Sequence, residues 1–360
     1  MTDKTLEQIR LRIDELDEQI QRLINERAQC AQAVAEAKIK EGGEVNFYRP
    51  EREAQVLRKV IERNQGPLAG EEIARLFREI MSACLALEQP MRVAYFGPAG
   101  SYTHAAAVKH FGHSVKPIPH RAIDEVFRDV EAGNSYYGVV PVENSTEGVV
   151  NHTLDMLLNS PLKVCGEVEL RIHLCFLSRE KDFSKITKIY AHQQALAQCR
   201  EWLDETLKEV PREAVSNNAE AARMASREAG AAAIASSTAA ELYDLSILAA
   251  NIEDEPDNTT RFLIIGKQSP PPSGHDKTTL LLSTPNRPGA LARLLVPLAD
   301  AGVSMTRIES RPSRRGMWDY VFFVDVEGHA DEPVVAEALE GLKEETVMLK
   351  VLGSYPVAVL

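Results

Sequence analysis

The fold begins with residues 6–39, which read LEQIRLRIDELDEQIQRLINERAQCAQAVAEAKI. Apolar residues recur there at seven-residue spacing, and Arg27 occupies the position of one of them. One row consists of Leu6, Ile13, Ile20 and Val34, and a companion row consists of Ile9, Leu16, Leu23 and Cys30. Two such rows predict one long amphipathic helix, which we expect to end near the glycine pair Gly42 and Gly43.

Cations interrupt the apolar face of this predicted helix. An arginine keeps its proton in proteins, so a buried Arg27 needs an anion or a carboxylate partner. Lys38 extends the same stripe, and Arg10 lies beside its start. Several cations on one apolar face indicate a pocket for a small dianion. The alternative is that Arg27 reaches solvent from the seam edge, or pairs with a neighbouring glutamate such as Glu26 or Glu53.

Composition bounds the class of protein. At 360 residues the chain is long enough for two or three domains. Its formal net charge of -12 argues against nucleic-acid binding, which usually needs a basic face. No apolar run approaches the roughly 20 residues of a membrane span. The five cysteines lack metal-type spacing, and an odd number without a signal peptide predicts reduced thiols in a cytoplasmic protein.

The residue pattern changes along the chain, and we expect a multidomain protein. Residues 1–90 predict an all-α domain, and residues 91–267 predict an α/β domain in which strands and helices alternate. Residues 268–276 are rich in proline and predict a linker. Residues 277–360 predict the α+β order β-α-β-β-α-β, which is typical of a ferredoxin-like domain.

The helical segment predicts an oligomer. A helix over residues 6–39 is about 50 Å long. A second helix begins near Pro50, and a third carries apolar residues from Ile73 to Leu87. These two shorter helices cannot cover the long seam alone. We therefore expect a homodimer or higher homo-oligomer in which long helices cross.

The helical segment also resembles the all-helical chorismate mutases. The resemblance lies in IRLRIDELDEQI (9–20), NERAQCAQAVAEAKIK (25–40) and RPEREAQVL (49–57). It implies that chorismate rearranges to prephenate without a cofactor or metal. The substrate-binding residues that it implies are Arg10, Arg27, Lys38, Arg52 and Glu53. Arg27 and the other protomer's Arg10 would hold two carboxylates, Lys38 the ether oxygen and Glu53 the ring hydroxyl, while Arg52 adds positive charge.

Three positions depart from the pattern of this family. Glu88 stands where many relatives have a glutamine that donates to the ether oxygen, and a glutamate can donate only when it is protonated. Burial raises the pKa of such a carboxyl, and nearby Lys38 opposes that rise. Arg49 and Cys84 occupy positions of secondary substrate contacts, where relatives have an acidic residue and a serine. For Cys84 the alternative is core packing.

In the α/β segment, polar clusters lie at the ends of four predicted strands, where such folds place their chemistry. The clusters are residues 97–103, 141–145, 192–195 and 258–262. The first resembles an anion-binding glycine turn but lacks the spacing of a dinucleotide site. Each cluster alone is typical of turns and helix caps. Together, in this order, they resemble prephenate dehydratase.

That resemblance implies two α/β lobes, arranged as in periplasmic binding proteins, with prephenate in the cleft. Thr260 would protonate the departing hydroxyl, and Arg261 would orient a substrate carboxylate. The residues implied to bind or position the substrate are Glu143, Asn144, Ser145 and Gln194. His192 is an alternative acid, although a lone histidine at a strand end is usually structural.

The last segment resembles an ACT domain, a small amino-acid-binding module. Its motifs are Asn286–Leu291 and Glu309–Pro312, which alone indicate only a helix start and a turn. The resemblance implies an L-phenylalanine effector site. Its residues would be Gly289, Ala290, Leu291, Glu309, Ser310, Arg311 and Pro312. Amides at the helix start could accept the effector carboxylate, and inhibition by phenylalanine is implied.

Together the three resemblances imply a bifunctional enzyme with chorismate mutase and prephenate dehydratase activities. Two alternatives remain open. In one, the chain is a monofunctional dehydratase whose helices only dimerise. In the other, it is a non-catalytic amino-acid sensor, although a sensor does not need the polar clusters around Thr260 and Asn144. A dehydrogenase is disfavoured because the dinucleotide fingerprint is missing.

Overall fold

A computed structural model describes residues 5–41, 47–284, 287–312 and 320–360. Three helices precede the first strand. They are α1 (Leu6–Glu41), α2 (Pro50–Glu62) and α3 (Gly70–Glu88). The predicted all-α segment is therefore confirmed, with Pro50 in the first turn of α2, where its missing N–H costs nothing. The predicted glycine stop at Gly42 and Gly43 lies outside the described residues.

The long helix α1 is covered on one side only. It packs on α3, and Ala35 is its one buried residue within the described part of the chain. Its apolar seam faces outward, with Leu6 64%, Ile13 51%, Ile20 54% and Leu23 58% exposed. Within the part of the chain that the structure describes, this apolar row is left largely uncovered.

The α/β region forms two lobes. Its elements are β1 (Arg92–Phe96), α4 (Tyr102–Phe111), β2 (Lys116–His120), α5 (Ile123–Glu131), β3 (Tyr137–Asn144), β4 (Gly148–Val149), α6 (Asn151–Asn159), β5 (Lys163–Arg171), β6 (Cys175–Ser178), β7 (Lys188–His192), α7 (Gln193–Gln198), α8 (Arg200–Thr206), β8 (Arg212–Val215), α9 (Asn218–Ala225), β9 (Ala231–Ala235), α10 (Ser237–Tyr243), β10 (Ser246–Ala249) and β11 (Thr259–Gly266). The first sheet has the order β2-β1-β3-β11-β5, and the second has the order β10-β6-β9-β7-β8. The chain crosses between lobes after β5 and returns before β11, so the two-lobed prediction is confirmed.

The C-terminal region is a single four-stranded sheet with two helices. Its elements are β12 (Asp276–Ser283), α11 (Ala290–Asp300), β13 (Met305–Pro312), β14 (Tyr320–Glu327), α12 (Pro333–Glu345) and β15 (Met348–Pro356). The strand order is β13-β14-β12-β15, and all pairs are antiparallel. The predicted ferredoxin-like order is confirmed. The sequence predicts the third strand of this region over Trp318 to Glu327, and Trp318 and Asp319 lie outside the described residues.

The C-terminal sheet packs directly on the first lobe. One apolar cluster contains Val164 and Leu263 of the lobe together with Leu281, Phe323 and Tyr355 of the C-terminal sheet. Residues 268–276, expected to form a linker, also make ordered contacts. There Arg58 of α2 donates to the carbonyl of Ser273 at 3.2 Å and to that of His275 at 2.7 Å.

Candidate active sites and effector region

Arg27, Lys38 and Glu88 are brought together where α1 lies against α3. Burial raises the pKa of the Glu88 carboxyl, and the positive charges of Lys38 and Arg27 act in the opposite direction. The Lys38 ammonium also lies 5.8 Å from the ring centroid of Phe47. Two cations and a carboxyl of raised pKa thus share one partly buried location, as a pocket for an anion requires.

Glu53, which the sequence suggested as a possible partner of Arg27, is hydrogen-bonded to Arg78 instead. Its Oε1 accepts from Nε of Arg78 on α3 at 3.2 Å, and Nη1 of Arg78 donates to the carbonyl of Lys109 at 2.8 Å. Burial raises the pKa of Glu53, and Arg78 opposes the rise. Arg78 was missed by the sequence analysis. It joins a predicted substrate-binding carboxylate to the first α/β lobe.

The remaining residues predicted for this site are spread along the helices. Arg52 is exposed on α2, Arg49 pairs with Glu51, and Cys84 is buried, as its core-packing alternative expects. Arg10 is exposed on the same helix as Arg27. At about 1.5 Å of rise per residue, some 25 Å of helix separates the two arginines, so they cannot hold one small substrate within a single chain.

A cleft of about 1020 Å³ separates the lobes of the α/β region. The first lobe contributes residues 96–103 and 119–121, and the second contributes Gln194, the strand-end residues His192 and Ser236, and residues 216–219. The parallel strands β1, β2 and β3 all end at this edge of the first sheet. Arg121 is among these lining residues and brings an arginine side chain to the cleft. None of the sequence motifs described above includes it.

Asn144 and Thr260 lie side by side at this same sheet edge, at paired positions of β3 and β11. The Asn144 Nδ2 donates to Thr260 Oγ1 at 2.9 Å and to Asn258 Oδ1 at 2.7 Å. Its Oδ1 accepts from the backbone amides of Thr146 and Glu147, each at 3.0 Å. Since those amides can only donate, they fix which end of the Asn144 amide faces Thr260.

The Arg261 side chain points away from Thr260 and is held by residues on the other face of the sheet. Its guanidinium binds Glu167 at 2.8 Å, Asp325 at 2.6 Å and the Tyr355 hydroxyl at 3.1 Å. Successive side chains of a strand point to opposite faces, so Arg261 faces the C-terminal sheet when Thr260 faces away from it. The Arg261 guanidinium is therefore engaged on the side of the C-terminal sheet, and its contact with a substrate carboxylate stays a prediction.

Glu143 also faces the C-terminal sheet, where its carboxylate binds Nε of Arg307 at 2.7 Å. A β-bulge explains this orientation. Arg261 pairs with Glu143 and Phe262 pairs with Pro141, so Val142 is the extra residue of β3. Beyond the bulge, Glu143 shares a face with Arg261, and Asn144 shares the other face with Thr260.

The other two predicted residues of this site have separate surroundings. The hydroxyl of Ser145 accepts from the amide of Thr259 at 2.9 Å and ties the strand ends together. Gln194 lines the cleft from the second lobe. His192 lines it too, and its backbone amide donates to Oδ1 of Asn218 at 2.9 Å.

The predicted effector residues lie at two places in the C-terminal region. Gly289 has a φ of 74° and caps α11, whose first residues are Ala290 and Leu291. Residues 309–312 form the end of edge strand β13. Within that strand, Arg311 reaches the first lobe, where it pairs with Asp155 at 3.0 Å and donates to the Asn151 carbonyl. The effector motif therefore contacts the neighbouring α/β region as well.

Comparison with known proteins accounts for the whole chain. Residues 9–89 match the family described as chorismate mutase type II, residues 93–270 match prephenate dehydratase, and residues 278–344 match the ACT domain. A bifunctional chorismate mutase/prephenate dehydratase from Pseudomonas aeruginosa is 58% identical over 99% of this chain and 98% of its own length. The chain belongs to that bifunctional family. It is an enzyme with a mutase domain, a dehydratase domain and an ACT domain.

Two solved structures resemble the part that follows the mutase domain. A prephenate dehydratase from Arthrobacter aurescens in complex with L-Phe is 34% identical, with a TM-score of 0.68, and the match covers 74% of this chain and 90% of that one. A structure described as GqqA, a novel type of quorum quenching acylase, is 32% identical, with a TM-score of 0.69, over 74% of this chain and 98% of that one.

Within residues 5–41, 47–284, 287–312 and 320–360, no helix is long and apolar enough to cross a membrane. The same ranges contain no group of three or more histidine, cysteine or acidic side chains arranged to hold a metal ion.

Proposed function

We propose that this enzyme is a cytoplasmic homodimer, or a larger assembly of such dimers, that converts chorismate to prephenate and then to phenylpyruvate. The exposed apolar seam of α1 supports the dimer, because a second α1 crossing it removes the seam from water. The five unpaired cysteines fit a reducing compartment. Its domains span residues 1–90, 91–267 and 277–360, and residues 268–276 connect the last two.

The mutase site forms across the dimer. Arg27 of one chain and Arg10 of the other bind the two substrate carboxylates, and Arg52 adds positive charge. Lys38 and protonated Glu88 donate to the ether oxygen, on which negative charge develops. Glu53, held by Arg78, accepts from the ring hydroxyl, while Arg49 and Cys84 line the periphery. The rearrangement needs no proton transfer, so holding the dianion in a compact chair and stabilising this charge account for catalysis.

The observation that carries the mutase assignment is the position of Glu88 beside Lys38 and Arg27. Mixing of subunits tests it together with the shared site. Arg10→Ala and Arg27→Ala should each lose mutase activity. When the two variants are co-expressed, mixed dimers hold one intact site of two, so about a quarter of the wild-type activity should return. Failure of any activity to return in proven mixed dimers would exclude a shared site.

The dehydratase site lies at the strand ends of the first lobe. Prephenate loses its ring carboxylate as carbon dioxide and its ring hydroxyl as water, and the gain of aromaticity drives both losses. Thr260 donates a proton to the departing hydroxyl. Asn144 donates to the Thr260 oxygen, which leaves the threonine proton free for the substrate and stabilises negative charge on that oxygen. Gln194 and Arg121 hold the substrate from the cleft walls.

L-Phenylalanine inhibits the dehydratase through the ACT domain. Gly289, Ala290 and Leu291 supply backbone amides at the start of α11, and residues 309–312 supply the facing strand end. The dehydratase of Arthrobacter aurescens that is similar to this chain was solved with L-Phe. Titration of phenylalanine against dehydratase activity tests this, because an effector must bind one state of the enzyme more tightly than the other.

A further inference from the structure

Two ion pairs join the dehydratase domain to the ACT domain at adjacent positions. Arg307 binds Glu143 at 2.7 Å, and Arg261 binds Asp325 at 2.6 Å. Arg261 is paired with Glu143 across β11 and β3, and Arg307 is paired with Asp325 across β13 and β14. Each domain thus presents one cation and one anion in neighbouring strands, and the charges are complementary. We call these four side chains the interdomain quartet.

The quartet lies directly beside the residues proposed for dehydration. Glu143 is followed by Asn144, and Arg261 is preceded by Thr260. The strand alternation turns the quartet toward the ACT domain and turns Asn144 and Thr260 away from it. A shift of Glu143 relative to Arg261 therefore changes the Asn144–Thr260 hydrogen bond, since the same two backbone segments carry both pairs.

The effector motif lies at the other end of the same strand. Arg307 precedes Glu309 by two residues in β13, so both side chains face the dehydratase domain. Arg311, two residues further on, pairs with Asp155. Movement of this edge strand on effector binding therefore acts on Arg307 directly.

The two ion pairs differ in how many hydrogen-bond partners their side chains have. Arg261 has three partners, and Asp325 also accepts from the Thr279 hydroxyl at 2.7 Å. Arg307 has Glu143, but its buried Nη2 has no hydrogen-bond partner among the residues that the structure describes. A buried donor without a partner is costly, so the Arg307–Glu143 contact is the more easily rearranged of the two. Arg261 is then the fixed anchor, and Arg307 the variable contact.

We propose that Arg307 is a positioning residue of the dehydratase, and that effector binding at β13 reaches Asn144 and Thr260 through the Arg307–Glu143 pair. The proposal rests on the proposed function, because it assigns the route of its phenylalanine inhibition. Glu143 accordingly acts from the ACT-facing side of the sheet. This role differs from the direct substrate contact that the family resemblance implied.

Arg307→Gln in the full-length enzyme tests the proposal. We expect the dehydratase kcat to change while KM for prephenate stays within about twofold, since the substrate contacts remain. The ratio of dehydratase rates without and with saturating phenylalanine should fall about fivefold or more. Phenylalanine binding by calorimetry should stay within about threefold of wild type, because the effector site itself is intact. Mutase activity measures folding of the same preparation.

Matched variants distinguish the loss of the Arg307–Glu143 contact from the loss of a positive charge in general. Arg307→Lys keeps the cation and should restore part of the inhibition. Lys343→Gln removes an exposed ACT-domain cation that pairs with Glu340 and should leave inhibition unchanged. In a double-mutant cycle, Glu143→Gln should add little to the lost inhibition of Arg307→Gln, because both remove the same contact.

Two results overturn the proposal: wild-type inhibition in Arg307→Gln, or inhibition lost only because phenylalanine no longer binds. Independent effects of Arg307→Gln and Glu143→Gln on inhibition also contradict it. A wild-type enzyme that forms no phenylpyruvate, or that phenylalanine does not inhibit, contradicts instead the proposed function on which the proposal rests.

Discussion

The side-chain amide of Asn144 donates a 2.9 Å hydrogen bond to the hydroxyl oxygen of Thr260 across strands β3 and β11. A threonine hydroxyl alone is a weak acid, and in the proposed mechanism this contact is what activates it. Because Asn144 donates, the Thr260 proton stays available, and charge left on its oxygen is stabilised. Two backbone amides hold Asn144 in this orientation, so the site is arranged before the substrate enters.

Removal of the Thr260 hydroxyl should separate the two activities. We expect Thr260→Ala to lower the dehydratase kcat by about a hundredfold or more, since a positioned general acid contributes this much. Mutase turnover by the same protein should be unchanged, because its site lies in another domain. Coupled assays of chorismate loss and phenylpyruvate formation measure both. Thr260→Ser is the matched control and should keep part of the activity; equal dehydration by the alanine variant would remove Thr260 from the mechanism.

Mutase activity should decline as pH rises. Burial raises the pKa of Glu88 above its ordinary value. The protonated carboxyl, which can donate to the ether oxygen, prevails below that pKa and is lost as pH rises through it. The loss of this donor should lower kcat about tenfold or more. Glu88→Gln should keep a donor at every pH and give a flat profile over the same range.

The control for this profile is Glu41→Gln, which changes an exposed carboxyl at the end of the same long helix and should leave the decline in place. A wild-type rate that stays constant from acid to mildly alkaline pH, and matches that of Glu88→Gln, would contradict the role given to Glu88.

Arg121 should contribute to prephenate binding. It lines the interlobe cleft, and prephenate carries two carboxylates. We expect Arg121→Gln to raise KM for prephenate about fivefold or more with a smaller change in kcat, since it removes a charge-assisted contact. Arg128→Gln is the control, because Arg128 is exposed and pairs with Asp124 on α5. Steady-state kinetics with prephenate measure both constants. An unchanged KM would exclude a contact between Arg121 and a prephenate carboxylate.

Gly353 should be essential to the packing of the ACT domain on the first lobe. A Cβ added there would overlap the carbonyl oxygen of Val164 and lie 2.8 Å from its carbonyl carbon and amide nitrogen. Backbone cannot yield as a side chain does. We expect Gly353→Ala to lower the free energy of unfolding by on the order of 2 kcal/mol or more. Urea or thermal unfolding measures this loss.

The control here is Gly66→Ala, where the nearest atom to an added Cβ is the Asn64 Oδ1 at 3.6 Å. That variant should unfold close to wild type. Equal stability of the two alanine variants would contradict the close packing of Gly353 on the Val164 backbone.

The helices, the strands and their order could be predicted from the sequence, because each depends on a pattern of neighbouring residues. The seven-residue rows predict α1, and the order of apolar runs predicts the ferredoxin-like region. Side-chain direction near the dehydratase site does not follow from such patterns. The bulge at Val142 reverses the face of Glu143, and only the packing of the ACT sheet decides that Arg261 meets Asp325.

No sequence motif includes the three arginines to which we assign roles from the structure. Arg307 lies just before the predicted effector motif, and Arg121 follows a short strand. Arg78 offered a usable signal, since it is a cation in a buried row with Ala74 and Ser82 on α3. Arg27 likewise interrupts the apolar rows of α1, and its role in the mutase site stays a prediction.

If one chain carries both activities under phenylalanine control, its products from chorismate must show this. The most direct measurement is mass spectrometric analysis of the products that the purified enzyme forms from chorismate alone, with and without phenylalanine. We expect prephenate and then phenylpyruvate, with prephenate accumulating when phenylalanine is added. Unchanged chorismate, or prephenate that is never converted to phenylpyruvate, would contradict the account.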